Sequence, residues 1–143
     1  MKNNEDHWTS AIFRIVSDKM GIEDISAMIK TQPTSSYIKG ELSSKRNPVS
    51  QIRGENLWIL ESILSDQDTI DAHIAYFLSF IKEREESIIA LQADCEFDIH
   101  CAYAAGNGQG GFTLDHRLLK ELTAFPVDLN INLYPPERKG EDF

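Results

Sequence analysis

Long apolar runs are missing from this sequence, and so are the spacings that mark metal and nucleophile sites. No stretch approaches the ~20 apolar residues of a membrane-spanning helix. Residues 1–6 are polar and mixed in charge, where a secretory leader needs an apolar run. The expectation is a cytoplasmic protein with no membrane partner. Cysteine is scarce: Cys95 and Cys101 are the only two. Six positions apart on one expected strand, they lie ~20 Å from each other at ~3.3 Å per residue. A disulfide needs Cα atoms within ~7 Å, so they neither bridge nor share a metal, and they read as small buried hydrophobes. His7, His73, His100 and His116 show no ligand spacing, and no H-E-x-x-H, C-x-x-C or G-x-S-x-G pattern occurs. No metal, cofactor or catalytic residue is expected. Basic residues are in deficit, 14 against 23 acidic ones, and the net charge of −9 argues against nucleic acid or an anionic membrane as partner.

The 143 residues suit one domain, with a core over about 8–134 and a charged tail, 135–143, that is expected to fray. Residues 8–16 are rich in β-branched and aromatic side chains and read as a strand. Ile22, Ile25, Met28 and Ile29 recur at helical spacing, with Glu23 and Asp24 in the first turn and Lys30 in the last, matching the helix dipole. Residues 31–56 hold Pro33, Gly40, Pro48 and Gly54 and are too long for a passive connector; they are expected to be functional or to carry short strands, Ser36 to Lys39 being one candidate. A strand follows at Leu57 to Glu61. Asp66 or Asp68 then caps a helix striped with Ile70, Ile74, Phe77, Leu78 and Ile81. Lys82 to Glu86 reads as a break and Ser87 to Ala93 as a further helix.

The last third is the most regular. From Cys95 to Tyr103, apolar Phe97, Ile99, Cys101 and Tyr103 alternate with Asp98, His100 and Ala102. From Val127 to Leu133, apolar residues alternate with Asp128, Asn130 and Asn132. Between the two strands, Leu114, Leu118, Leu119 and Leu122 mark a helix capped by Thr113 or Asp115. Strict alternation means that one sheet face meets the core and the other meets water or a partner. The expected fold class is α+β: a four- or five-stranded mixed sheet with helices packed mainly on one face.

Gly106 to Gly111 fits the dinucleotide pattern G-x-G-x-x-G by spacing. Three features oppose that reading. The preceding strand alternates, where a strand buried on both faces is a continuous apolar run. The helical pattern starts only at Leu114, after the last glycine. The match also falls near the end of the chain. It reads as a flexible connecting loop. His100 sits two positions from Asp98 and invites an acid–base pairing, against which a surface histidine is the plainer explanation. If the last two strands are neighbours, Asp98, His100, Asp128, Asn130 and Asn132 share one face, with Arg14 as a further candidate. Two asparagines on one strand are disfavoured by propensity; plain solvent exposure is the simpler explanation, and a face that hydrogen-bonds something outside the sheet is the alternative.

Several short segments, taken in order, resemble a known family. They are Pro33-Thr34-Ser35-Ser36-Tyr37-Ile38-Lys39-Gly40-Glu41, Leu57-Trp58 leading to Glu61-Ser62, Gly110-Gly111-Phe112-Thr113-Leu114, and Asp128-Leu129 running to Leu133-Tyr134. In this spacing, over about 10–134, the chain resembles the mostly bacterial domain-of-unknown-function family 4279. The resemblance implies a compact α+β domain without an assigned activity. It singles out Lys39, Gly40, Trp58, Gly111 and Phe112: the glycines as turn residues, the aromatics as core, and Lys39, in a loop, as the position that contacts something.

Charge is uneven along the chain. From Lys30 to Arg53, five basic residues face only Glu41; from Glu55 to Asp98, eleven acids face Lys82 and Arg84. The functional expectation is a non-enzymatic module that binds a basic protein through an acidic docking surface, a toxin-neutralising immunity protein being one concrete version. The alternative is a small-ligand or nucleotide-binding domain walled by the 31–56 loop, with Lys39, and by the 106–111 glycine loop.

Overall fold

A computed structural model describes residues 7–43, 50–106 and 109–135. Its first strand, β1 (Trp8–Ser17), alternates buried Ala11, Phe13 and Ile15 with half-exposed Ile12, Arg14 and Val16. The further strands are β2 (Ser35–Tyr37), β3 (Asn56–Glu61), β4 (Glu96–Ala104) and β5 (Val127–Tyr134), and they form one sheet in the order β2-β3-β1-β4-β5. Pairing is antiparallel except between β4 and β5. That parallel pair needs a crossover, supplied by α4 (His116–Thr123). The architecture is α+β, a five-stranded mixed sheet with four helices, as the alternation and helical spacing predict.

The helices lie over the face that carries Phe13, Ile15, Trp58, Phe97 and Ile99. Helix α1 (Ile22–Ile29) packs on β3, α2 (Ile70–Lys82) packs on β1 and β4, and α3 (Glu85–Leu91) and α4 pack against other helices. Phe13 is the hub. Its ring meets those of Trp58, Phe77, Phe80 and Phe97 at centroid distances of 5.9–6.3 Å, a range in which aromatic pairs attract beyond simple burial. Trp58 is fully buried and its indole N–H donates to Ser26 Oγ at 3.0 Å, so the polar end of the ring is satisfied.

Several local details differ from the sequence reading. Thr69, and neither Asp66 nor Asp68, caps α2, its hydroxyl accepting from Ala72 N–H; the Asp68 carboxylate accepts from Ser65 N–H instead. Of the two candidates for α4, Asp115 is the cap. Lys30 lies outside the last turn of α1, as its C-cap in a left-handed conformation (φ 61°). Helix α3 starts two residues earlier than the apolar pattern suggests. The 31–56 segment does carry a short strand, β2, and an antiparallel bridge between Leu42 and Ile52, flanked by backbone hydrogen bonds, pairs 40–43 with 51–53. Gly40 sits in the tight turn closed by Glu41 N–H donating to the Ile38 carbonyl, with φ 93°, a backbone angle costly for any residue with a Cβ. Residues 136–143, the part of the expected frayed tail that follows Pro135, lie outside the described residues.

His73 ties the start of β1 to the segment joining β3 and α2. The ring is buried; Nε2 lies 3.0 Å from Thr9 Oγ1 and Nδ1 2.8 Å from Ser62 Oγ. The Thr9 hydroxyl spends its proton on the Asp68 carbonyl. Hence Nε2–H donates to Thr9 and Nδ1 accepts from Ser62, which fixes the neutral tautomer. Burial lowers the His73 pKa below 6.5, opposed by the charge of Asp68 and a backbone hydrogen bond involving Ser65. A lowered folded-state pKa means that the unfolded chain takes up the proton first. The stabilisation is therefore complete above pH 6.5 and is lost as pH falls through the folded-state value. Urea midpoints are expected to drop between about pH 7.5 and about pH 5.5. His73→Gln should flatten most of that slope, and an unchanged slope in the variant would remove His73 as its source.

Candidate functional site

The sheet's second face carries no helix among the described residues. Register fixes what lies on it. Arg14 pairs with Asp98, and Asp98 with Asp128; Ile12 pairs with His100, and His100 with Asn130; Ser10 pairs with Ala102, and Ala102 with Asn132. On the other side of β1, Glu61 stands opposite Ile12 and Ile59 opposite Arg14. Asp98, His100, Asp128, Asn130 and Asn132 thus form two adjacent columns on one open face, as the alternation of β4 and β5 implies. Asp128, Asn130 and Asn132 are exposed, while Asp98 and His100 are half-buried.

The centre of this face is an ion pair. Arg14 Nε donates to Asp98 Oδ1 at 2.7 Å and Arg14 Nη2 to Oδ2 at 2.6 Å, a bidentate arrangement. Both side chains are largely shielded, at 26% and 15% exposure, so the pair is screened less than a surface bridge. The Asp98 hydrogen bonds raise the Arg14 pKa and hold the guanidinium charged, against the opposing effect of burial. They also occupy the carboxylate that an acid–base partnership with His100 would need. The His100 pKa is lowered by burial, then by the Arg14 charge, with Asp98 acting in the other direction. The arrangement holds a neutral imidazole beside a neutralised carboxylate, a hydrogen-bonding surface in place of a proton-transfer pair.

Lys39 does not join this group. Its backbone N–H donates to Asn56 Oδ1 at 2.8 Å and its ammonium reaches the Asp18 carbonyl at 3.4 Å. Asn56 pairs with Ser17, the last residue of β1, whereas Ala104, just before the glycine loop, pairs with Trp8, the first. The ends of a ten-residue strand are about 30 Å apart, so Lys39 and the glycine loop do not wall one pocket.

Glycine-loop residues 107 and 108 lie outside the described residues. At Gly110, a Cβ would run into the Tyr103 hydroxyl and Ala105 Cβ, while nothing lies within 4 Å of one built on Gly111. The steric demand therefore belongs to Gly110, one position before the glycine that the resemblance points to. It comes from packing on Tyr103, whose ring also meets Phe112 edge-on at 5.3 Å. Helix α4 begins only at His116, capped by Asp115, so this loop presents no glycine-lined helix start to a phosphate.

The acids between Glu55 and Asp98 do not form one surface. Glu61, Glu96 and Asp98 are on the open face; Asp66, Asp68 and Asp71 lie before and at the start of α2; Glu83, Glu85 and Glu86 lie at the α2–α3 junction; Glu55 and Asp94 lie just before β3 and β4. Sequence reasoning left out Glu61 and Glu96 as members of the face, although the period of two in β3 and β4 would place them once the neighbours of β1 were known. Both cysteines are buried and unbridged. Burial raises both thiol pKa values, that of Cys101 to about 12, which keeps the thiols protonated and inert. Among the described residues, no group of three or more His, Cys, Asp or Glu side chains is placed to hold a metal ion, and no helix is long and apolar enough to cross a membrane.

Two stability measurements test this geometry. A double-mutant cycle with Arg14→Ala and Asp98→Ala is expected to give a coupling of about 0.5–3 kcal/mol; a value near zero would class the pair with exposed surface bridges. Gly110→Ala is expected to cost about 1–3 kcal/mol through overpacking against Tyr103, with Gly111→Ala nearly neutral by the same denaturation assay.

Neither the curated proteins nor the solved structures contain a match to this chain. A family model does match it, over residues 6–136, under the description domain of unknown function (DUF4279). The match takes in every strand and helix described above, from β1 to β5. This protein belongs to the DUF4279 family.

Proposed function

We propose that this chain is a non-enzymatic protein-binding module that engages its partner through the open sheet face. The observation behind this reading is the register that sets Asp98, His100, Asp128, Asn130 and Asn132 side by side on the helix-free face. Such a face offers fixed hydrogen-bonding groups on a rigid sheet, so little ordering is required when a partner docks. The titratable pair closest to an acid–base arrangement is committed to Arg14. The clefts along this surface, such as the one between residues 51–55 and β1, are open to solvent and lined by polar groups including Arg14 and Arg53. They lack the enclosed apolar walls of a small-molecule site.

Among the described residues the face carries Glu61, Glu96, Asp98 and Asp128, with Arg14 bound to Asp98 and Arg53 at its margin, and the chain as a whole carries −9. Both favour a basic partner and fast, salt-sensitive association. A toxin-neutralising immunity protein is a concrete role that fits a small acidic binder of this kind.

Affinity capture from the native host tests the reading. The tagged protein at low salt is expected to retain a stoichiometric basic protein that high salt releases. The paired substitutions Asn130→Arg and Asn132→Arg should abolish retention, while Glu86→Arg on the helical side should not. A partner held equally by the sheet-face variant and the wild type would sink the proposal.

A further inference from the structure

The two edges of the sheet are unlike. At one edge β2 is three residues long, too short to template another strand. At the other, β5 runs eight residues in unbroken register with β4, from Phe97 opposite Val127 to Ala104 opposite Tyr134, without a bulge. Natural edge strands are guarded by lysine, proline, bulges or short length. Between Val127 and Tyr134 there is no lysine, arginine or proline, and Asp128 is the only charge. Leu133, on the apolar side of the strand, is 70% exposed. Among the described residues no strand pairs with the outer side of β5, whose run from Val127 to Leu133, between Pro126 and Pro135, is unguarded by lysine, bulge or short length.

We infer that β5 accepts an extended segment of a partner protein as a sixth strand, a segment with basic side chains at alternate positions and apolar ones between them. This rests on the reading of the open face as the binding surface and specifies how that surface is used. A strand added beside β5 places every second side chain on the open face, with Cβ atoms about 5 Å from those of Asp128, Asn130 or Asn132. The intervening side chains fall beside Leu129, Ile131 and Leu133 on the apolar side. The backbone ladder would supply affinity and the alternating side chains selectivity, as in other cases of strand addition. Charge sets the choice of occupant. Asp128 stands directly beside the added strand and Asp98 one strand further in, and β5 carries no cation of its own. A second copy of the chain would instead bring −9 against −9. The sheet also shows how its carboxylates take a guanidinium, since Asp98 already grips Arg14 through two hydrogen bonds.

The test uses the full-length, isotope-labelled protein and a synthetic peptide of alternating arginine and valine, with an alternating glutamate–valine peptide as control. The arginine peptide is expected to shift the amides of 127–134, to slow hydrogen exchange along β5, and to bind less tightly as salt rises. Asp128→Lys combined with Asn130→Lys should weaken it by about tenfold or more, since losing one charge-assisted contact of about 1.4 kcal/mol accounts for a factor of ten. Shifts on Asp98 and His100 without slowed exchange along β5 would overturn strand addition while leaving the open face as the binding surface. Shifts confined to Glu83–Glu86, equal binding of the glutamate peptide, or no binding would overturn the inference. So would sedimentation showing that the protein self-associates through β5 and ignores the peptide, since the occupant would then be a second copy.

Discussion

The register of β1 is the constraint on which the rest of this structure depends. It is the central strand, flanked by β3 and β4, and it alternates strictly between the two faces. A slip of one residue would turn Phe13 and Ile15 outward and bury Ile12, Arg14 and Val16 in their place. The cost on one side would be the loss of the Phe13 cluster with Trp58, Phe77, Phe80 and Phe97. On the other it would be an arginine pressed into an apolar core without its carboxylate. These two penalties act in the same direction, so the register is fixed from both faces at once.

With β1 fixed, the division of labour between the faces follows. Helices α1 and α2 need an apolar floor, and the odd-numbered residues of β1 and β4 supply it. The even-numbered residues are left facing outward, and at the middle of the sheet they meet across three strands as Arg14, Asp98 and Asp128. A bare row of carboxylates there would repel itself; Arg14 neutralises one of them and ties β1 to β4 at the same point. The polar face is therefore part of what holds the sheet together as well as a surface on display. Its groups are preset by the register and by the Arg14–Asp98 pair.

The parts of the fold that were legible in the sequence are those governed by short-range periodicity. The strands at 8–17, 96–104 and 127–134 and the stripe of α2 were visible because burial on one side imposes a period of two or 3.6. The glycine run shows the limit of spacing alone. Its pattern matches a phosphate-binding loop, yet Gly110 lacks a side chain because Tyr103 occupies that space. The cap of α2 was mistaken for a related reason. Thr69 and Asp68 are both good caps by type, and Asp68 was claimed by the turn at Ser65, a contact that no propensity encodes.

The sequence by itself determined the class of fold and the inward and outward residues of each strand. Local sterics and solvent exclusion act on neighbours along the chain, so their marks are written in order along it. Only the tertiary structure decided which strands are neighbours. It set β1 between β3 and β4, brought Arg14 to Asp98 across 84 positions of sequence, and placed Lys39 and the glycine loop at opposite ends of the sheet. It also divided the acids of Glu55 to Asp98 among separate regions. Strand order is chosen by the summed burial of all elements together, a quantity that no single segment of the chain carries.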